Sequence, residues 1–97
     1  MRSLNPDHLR AFAEVVAQAS FTRAAKRLNL AQPTVSLQIR DLENRLGVRL
    51  IDRLGKRAFA TTAGRELLEH ARRIAEENER LLAAMRRHRD GWLGQVR

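Results

Sequence analysis

The sequence predicts a mainly α-helical fold, and three patterns predict it. Apolar residues recur at the helical rather than the strand period through most of the 97 residues. Two short helical patterns flank a tight break at Asn29-Leu30-Ala31, the arrangement of a helix-turn-helix. A longer series begins at Leu67 and alternates steps of four and three, the seam of a helix that pairs with another.

Each element follows from local chemistry. Asn5 is a good N-cap, with Pro6 at the first helical position and Asp7 in the first turn. Leu9, Phe12, Ala13, Val16 and Ala17 then form the core face of a first helix ending near Ala19. Ser20 or Thr22 caps a second helix, whose small Ala24 and Ala25 allow a close helix crossing beside Leu28. A third helix covers about residues 32–46, with Val35, Ile39, Leu42 and Leu46 inward and Pro33 preset in its first turn. Gly47 stops it in the left-handed conformation. Arg49 to Arg53 and Arg57 to Thr61 read as two short strands around Leu54-Gly55-Lys56, placing Arg53, Lys56 and Arg57 near a hairpin tip. Thr61 or Thr62 caps a last helix running to about Asp90, with Gly91 as its stop. Pairs of Glu69 with Arg73 and Glu76 with Arg80 support it modestly. Its seam is Leu67, Ala71, Ile74, Asn78, Leu81 and Met85, widened by Leu68, Ala75 and Leu82. A lone helix of that length gains little without a partner surface.

Composition narrows the function. The net charge is +8, carried mainly by residues 1–64, which hold 11 Lys or Arg against 5 Asp or Glu. Such a field attracts a polyanion. With no cysteine, disulfide and thiolate chemistry are excluded. The N-terminus lacks the apolar stretch of a secretory signal, and no apolar run is long enough to span a bilayer. No catalytic constellation is visible. His8, His70 and His88 lie apart without metal-ligand spacing, and neither a phosphate-binding glycine loop nor a nucleophile elbow is present. The expectation is a protein that is not an enzyme and needs no metal or cofactor.

The outer face of the third helix carries what that polyanion needs. At about 100° per residue, the side opposite the core holds Pro33, Thr34, Leu37, Arg40 and Asn44, with Gln32 and Ser36 on its flanks. Gln pairs with adenine edges, Arg with guanine edges or phosphate, and an apolar group meets the thymine methyl. In a helix-turn-helix the second helix enters the DNA major groove. An ordinary amphipathic bundle helix followed by a solvated hairpin is the plain alternative. Under it, the chain is a dimerisation or protein-interaction module with incidental basic charge.

The run Phe12…Ser20-Phe21-Thr22…Ala24-Ala25…Leu28…Gln32-Pro33…Val35-Ser36…Gln38-Ile39…Leu42-Glu43…Leu46-Gly47…Leu50…Arg53…Thr61…Ala63-Gly64 resembles the N-terminal domain of LysR-type transcriptional regulators. The resemblance covers about residues 4–90. It implies a winged helix-turn-helix in residues 1–62, a linker and dimerisation helix in 63–90, and the truncated start of an effector-binding domain in 91–97, where Gly94-Gln95-Val96-Arg97 matches the opening of its first strand. Trp92 then belongs to a linker within a longer protein. The resemblance makes Thr22 and Arg23 candidate backbone contacts, and it sets Arg53, Lys56 and Arg57, in a wing over residues 49–61, against the DNA backbone or minor groove. Gln32, Pro33, Thr34, Ser36, Leu37 and Arg40 are the candidate base readers. The implied partners are a pseudo-palindromic double-stranded operator and a second copy of the chain, with a higher oligomer in the whole protein. A small-molecule effector would act through the missing domain, and the location would be cytoplasmic, at the nucleoid. Three positions depart from the pattern: Ile51 stands where Phe is usual, Ala60 where Leu is, and Ala31 where Ser is common. The last removes an N-cap at about 1 kcal/mol.

Overall fold

A computed structural model describes residues 4–95. In chain order it contains α1 (Pro6–Gln18), α2 (Phe21–Leu28), α3 (Gln32–Leu46), β1 (Ile51–Leu54), β2 (Arg57–Ala60) and α4 (Thr62–Gln95). The helix starts follow their capping chemistry. Asn5 Oδ1 accepts from the Asp7 N–H at 2.8 Å, and Ser20 Oγ accepts from the Arg23 N–H at 3.1 Å. Ser20, not Thr22, is therefore the cap of α2, and Thr22 lies inside the helix. At α3 the alanine at position 31 leaves the helix start without a side-chain cap.

The helix ends use the left-handed region. Gly47 (φ 72°) and Asn29 (φ 60°) tolerate it, but Ala19 (φ 54°) adopts it at about 1–2 kcal/mol. That conformation aims the Ala19 carbonyl at the Ala58 N–H, 3.0 Å away on β2, and so ties the hairpin to the α1–α2 corner. Residues Leu9, Ala11, Phe12 and Val15 of α1, Phe21, Ala24 and Ala25 of α2, and Val35, Ile39 and Leu42 of α3 form one core. The α1 face is rotated from the expected one. Ala11 and Val15 are buried, Ala13 and Val16 are half-buried, and Ala17 is exposed. The alanines do not distinguish the two faces and Val15 and Val16 are equal in size, so packing against α2 and α3 decides that Val15 lies inside.

β1 and β2 pair antiparallel, Ile51 with Ala60 and Leu54 with Arg57, around a Gly55-Lys56 turn with Gly55 at φ 63°. The strands are shorter than expected, and Arg49 and Thr61 lie outside the ladder. These two residues are used for cross-links instead. Thr61 Oγ1 donates to the Arg49 carbonyl at 2.6 Å and accepts from the Gly64 N–H at 3.0 Å, which makes Thr61 the cap of α4. Glu43 of α3 accepts from the N–H groups of Leu50 and Ile51 at 2.8 and 3.3 Å. The carboxylate thus fixes the hairpin to the third helix.

α4 runs 34 residues and passes through Gly91, which does not stop it. An isolated glycine costs a helix about 1 kcal/mol and ends it only where the chain turns left-handed. Among the described residues its charge pairs are Arg72 with Glu69 at 4.0 Å and Arg80 with Glu77 at 3.0 Å, both i,i+3, and the neighbours Arg89 and Asp90 at 3.6 Å, in place of the expected i,i+4 pairs. The first turns pack on the core through Ala63, Leu67, Leu68 and Ala71. Beyond Ala71 nearly every residue to Asp90 is exposed. Of the expected start of a further domain at 91–97, the backbone of residues 91–95 continues α4 instead of opening a strand at Gly94-Gln95, while the Trp92 side chain and residues Val96 and Arg97 lie outside the described part.

Candidate nucleic-acid interface

The start of α3 stands clear of the core because its inward residues begin only at Val35. Gln32, Pro33, Thr34, Leu37 and Arg40 are all exposed, and Ser36 is half-buried. Leu37, at 62% exposure, makes no contribution to the core and lies on the side that the helical wheel assigns it.

A groove of about 550 Å³ runs beside this face, between the first turn of α2 and the hairpin. Its cations are Arg23, Lys26, Arg53, Lys56 and Arg57, and no carboxylate lines it. Lys26 was not among the residues singled out from the sequence, although it lies one helical turn beyond Thr22 and so shares its side of α2. The acids of the domain are occupied elsewhere. Asp7 pairs with Arg10, Glu14 with Arg27, Asp41 with Arg45, and Asp52 with Arg49. Among the described residues none of the five groove cations has a carboxylate partner. Their field is therefore not neutralised locally, and the potential of the groove is one that attracts anions.

The groove walls are ordered by specific contacts. Arg53 lies on β1 rather than at the hairpin tip. Its guanidinium sits 3.9 Å over the Phe21 ring, and one of its nitrogens reaches Ser36 Oγ at 3.5 Å. One side chain thus spans hairpin, α2 and α3, and cation–π stacking holds its plane. Arg57 lies over Phe59 at 5.3 Å, leaving Lys56 as the charge of the turn itself. Thr22 Oγ1 donates to Gln32 Oε1 at 3.3 Å, so a candidate backbone contact and a candidate base reader meet side to side. A smaller cleft of about 270 Å³ between α3 and β1 contains Arg40 and Arg53 but also Glu43, which the hairpin backbone already engages.

The residues expected to pair two chains divide into two groups. Leu67 and Ala71 pack on their own domain. Ile74, Leu81 and Met85 are each 52% exposed, Leu82 is 53% exposed, and Asn78 is exposed among them. Elsewhere His8 Nδ1 lies 3.1 Å from Asp41, which Arg45 also engages, and the group reads as a tie between α1 and α3. Among the described residues no three His, Asp or Glu side chains gather as metal ligands, and no helix is long and apolar enough to cross a membrane.

Residues 6–65 match the family model for bacterial regulatory helix-turn-helix proteins of the lysR family. The chain is 43% identical over 81 residues to the RuBisCO operon transcriptional regulator of Allochromatium vinosum, covering 80% of this chain and 27% of that protein. It is also 43% identical over 89 residues to a probable hydrogen peroxide-inducible genes activator of Mycobacterium xenopi, covering 92% of this chain and 47% of that protein. The chain thus spans about a quarter to a half of these relatives. Among solved structures, the CbnR_DBD-DNA complex superposes with a TM-score of 0.83 at 36% identity, over 87% of this chain and 97% of that one. The BenM_DBD/benA site 1 DNA complex gives 0.82 at 34% identity, over 86% and 96%.

Proposed function

Because the chain belongs to the lysR family of bacterial regulatory helix-turn-helix proteins, we propose that it is the sequence-specific DNA-binding module of a transcriptional regulator. The exposed start of α3 enters the major groove and reads bases, while the groove between α2 and the hairpin takes backbone phosphates. The observation that carries this reading is the acid-free groove with its five cations, continuous at Gln32 with the exposed face of α3. Phosphates position the protein and base edges specify the site. The groove supplies the first kind of contact, and Gln32, Thr34, Leu37 and Arg40 supply the second.

The outer half of α4 supports a homodimer. Ile74, Leu81, Leu82 and Met85 would otherwise leave a stripe of apolar surface in water on an isolated helix. Pairing two copies there brings two α3 helices to the half-sites of a pseudo-palindrome. A higher oligomer and an effector response belong to the whole protein, whose site of action is the cytoplasmic DNA. The test is binding to a site selected from random DNA, measured across a salt series. A steep fall in affinity with salt, together with a preference over unrelated DNA, is the expected result. Binding with no preference for any sequence would overturn the reading.

A further inference from the structure

Thr22 and Gln32 come from different helices, ten residues apart, and meet at the mouth of the cation groove. Both side chains are exposed, and Gln32 occupies the first position of α3, where its own backbone N–H makes no helical bond. A glutamine there has three rotatable bonds and no packing to hold it. The only side-chain hydrogen bond it makes among the described residues is the one from Thr22 Oγ1 to Oε1. That bond has a chemical consequence. With the amide oxygen turned toward α2, the Nε2 hydrogens are the part of the amide free to reach outward.

We infer that Thr22 is a positioning residue for base reading. Its hydroxyl holds the Gln32 carbonyl so that Nε2 is presented to DNA as a hydrogen-bond donor, directed at purine acceptors. This rests on the proposed DNA-binding function and deepens it. In the major groove guanine offers two acceptors, N7 and O6, and no donor of its own. A free Gln pairs bidentately with adenine through both its oxygen and its nitrogen. With its oxygen held on the α2 side by threonine, the glutamine presents its nitrogen foremost, and a donor alone suits guanine, whose N7 and O6 both accept. Thr22 therefore sets which purine Gln32 prefers, beyond any phosphate contact that it makes itself.

The experiment uses the whole chain and a site selected from random DNA, with all four base pairs substituted at each position. Gln32→Ala identifies the base pair that Gln32 reads, at which the wild type discriminates roughly fivefold to a hundredfold. Thr22→Val keeps the shape and deletes the hydroxyl. It reduces discrimination at that same base pair by roughly two- to tenfold, leaving other positions and the melting temperature unchanged. Thr22→Ser, which keeps the hydroxyl, restores it. Gln32→Glu keeps an oxygen for Thr22 but removes the donors. It loses the guanine preference and turns toward cytosine, whose amino group donates.

The inference is overturned if Thr22→Val weakens all sequences equally, since that is the mark of a phosphate contact alone. It is equally overturned if Thr22→Val leaves discrimination intact, or if the base pair identified through Gln32→Ala is A·T. Absence of any sequence preference in the wild type refutes the DNA-reading function itself, and so is distinguishable from failure of the Thr22 role.

Discussion

Replacing Gly64 by alanine tests how the hairpin is joined to α4. Gly64 is buried near the start of that helix, and on helix propensity alone the substitution stabilises by about 1 kcal/mol. The surroundings reverse the sign. A Cβ at this position meets the Leu50 carbonyl oxygen well inside contact distance, and it stands 3.1 Å from the Leu50 carbonyl carbon and 3.3 Å from the Ala60 Cβ. The obstruction is backbone rather than a flexible side-chain end, and that backbone is committed. The Leu50 carbonyl accepts from the Thr61 N–H at 2.9 Å, and the Leu50 side chain is 1% exposed. Relief requires the hairpin base and the first turn of α4 to separate. Overpacking of this kind costs about 1–3 kcal/mol, and loss of the Thr61 bond adds about 1 kcal/mol. Against the propensity gain, the net is a destabilisation of about 1–3 kcal/mol. For a domain of this size that lowers the melting temperature by roughly 5–20 °C, read by circular dichroism. Gly47→Ala is the comparison. Its position is open, so only the strain of φ 72° opposes the change, at about 1 kcal/mol. A Gly64→Ala protein that melts at or above the wild-type temperature would refute this account of the junction.

Three further outcomes are expected. Leu37→Ala should leave the melting temperature unchanged, because the side chain is exposed, but should weaken binding to the preferred site. Uracil for one thymine of that site should weaken the wild type similarly and the variant not at all, since uracil deletes only the methyl; indifference of the wild type to uracil at every thymine would show that Leu37 does not read the groove in this way. Lys56→Ala should weaken binding to all sequences and flatten the salt slope by about one unit per bound copy, whereas Gln32→Ala should leave the slope nearly unchanged. An equal, sequence-blind loss in both would abolish the division between grip and reading. Leu81→Asp should convert the dimer to monomer in sedimentation by placing a charge in the bare stripe of α4, and a wild type already monomeric at tens of micromolar would remove the basis for pairing.

The elements of this fold are legible in the chain because their signals are local. Asn5, Ser20, Gly47 and Gly55 act through caps and turns that involve a few neighbouring residues, and the helical wheel of α3 follows from the spacing of Val35, Ile39 and Leu42. The basic surplus of residues 1–64 is likewise a property of composition. Local signals fail where two of them compete without a large energy difference. Ala13 and Ala17 suit a core face as well as Ala11 does, and only packing against α2 and α3 selects Ala11 and Val15. Gly91 is a helix stop by type, yet the helix continues through it.

What the tertiary structure alone decides is which side chains from distant segments meet. Glu43 engages the hairpin backbone seven and eight residues away, Arg53 crosses to Phe21 and Ser36, and Thr22 reaches Gln32. None of these pairings has a periodicity to betray it, because each depends on the crossing angle of helices and the register of the hairpin. Lys26 shows the same limit from the other side. Its charge is plain in the sequence, but only the folded chain sets it in a groove that no carboxylate lines. Residue types and helical period thus determined the elements, the sign of the field and the exposed face of α3. The interior packing and the long-range contacts, which are summed over many weak interactions between elements, determined how those charges and readers are held.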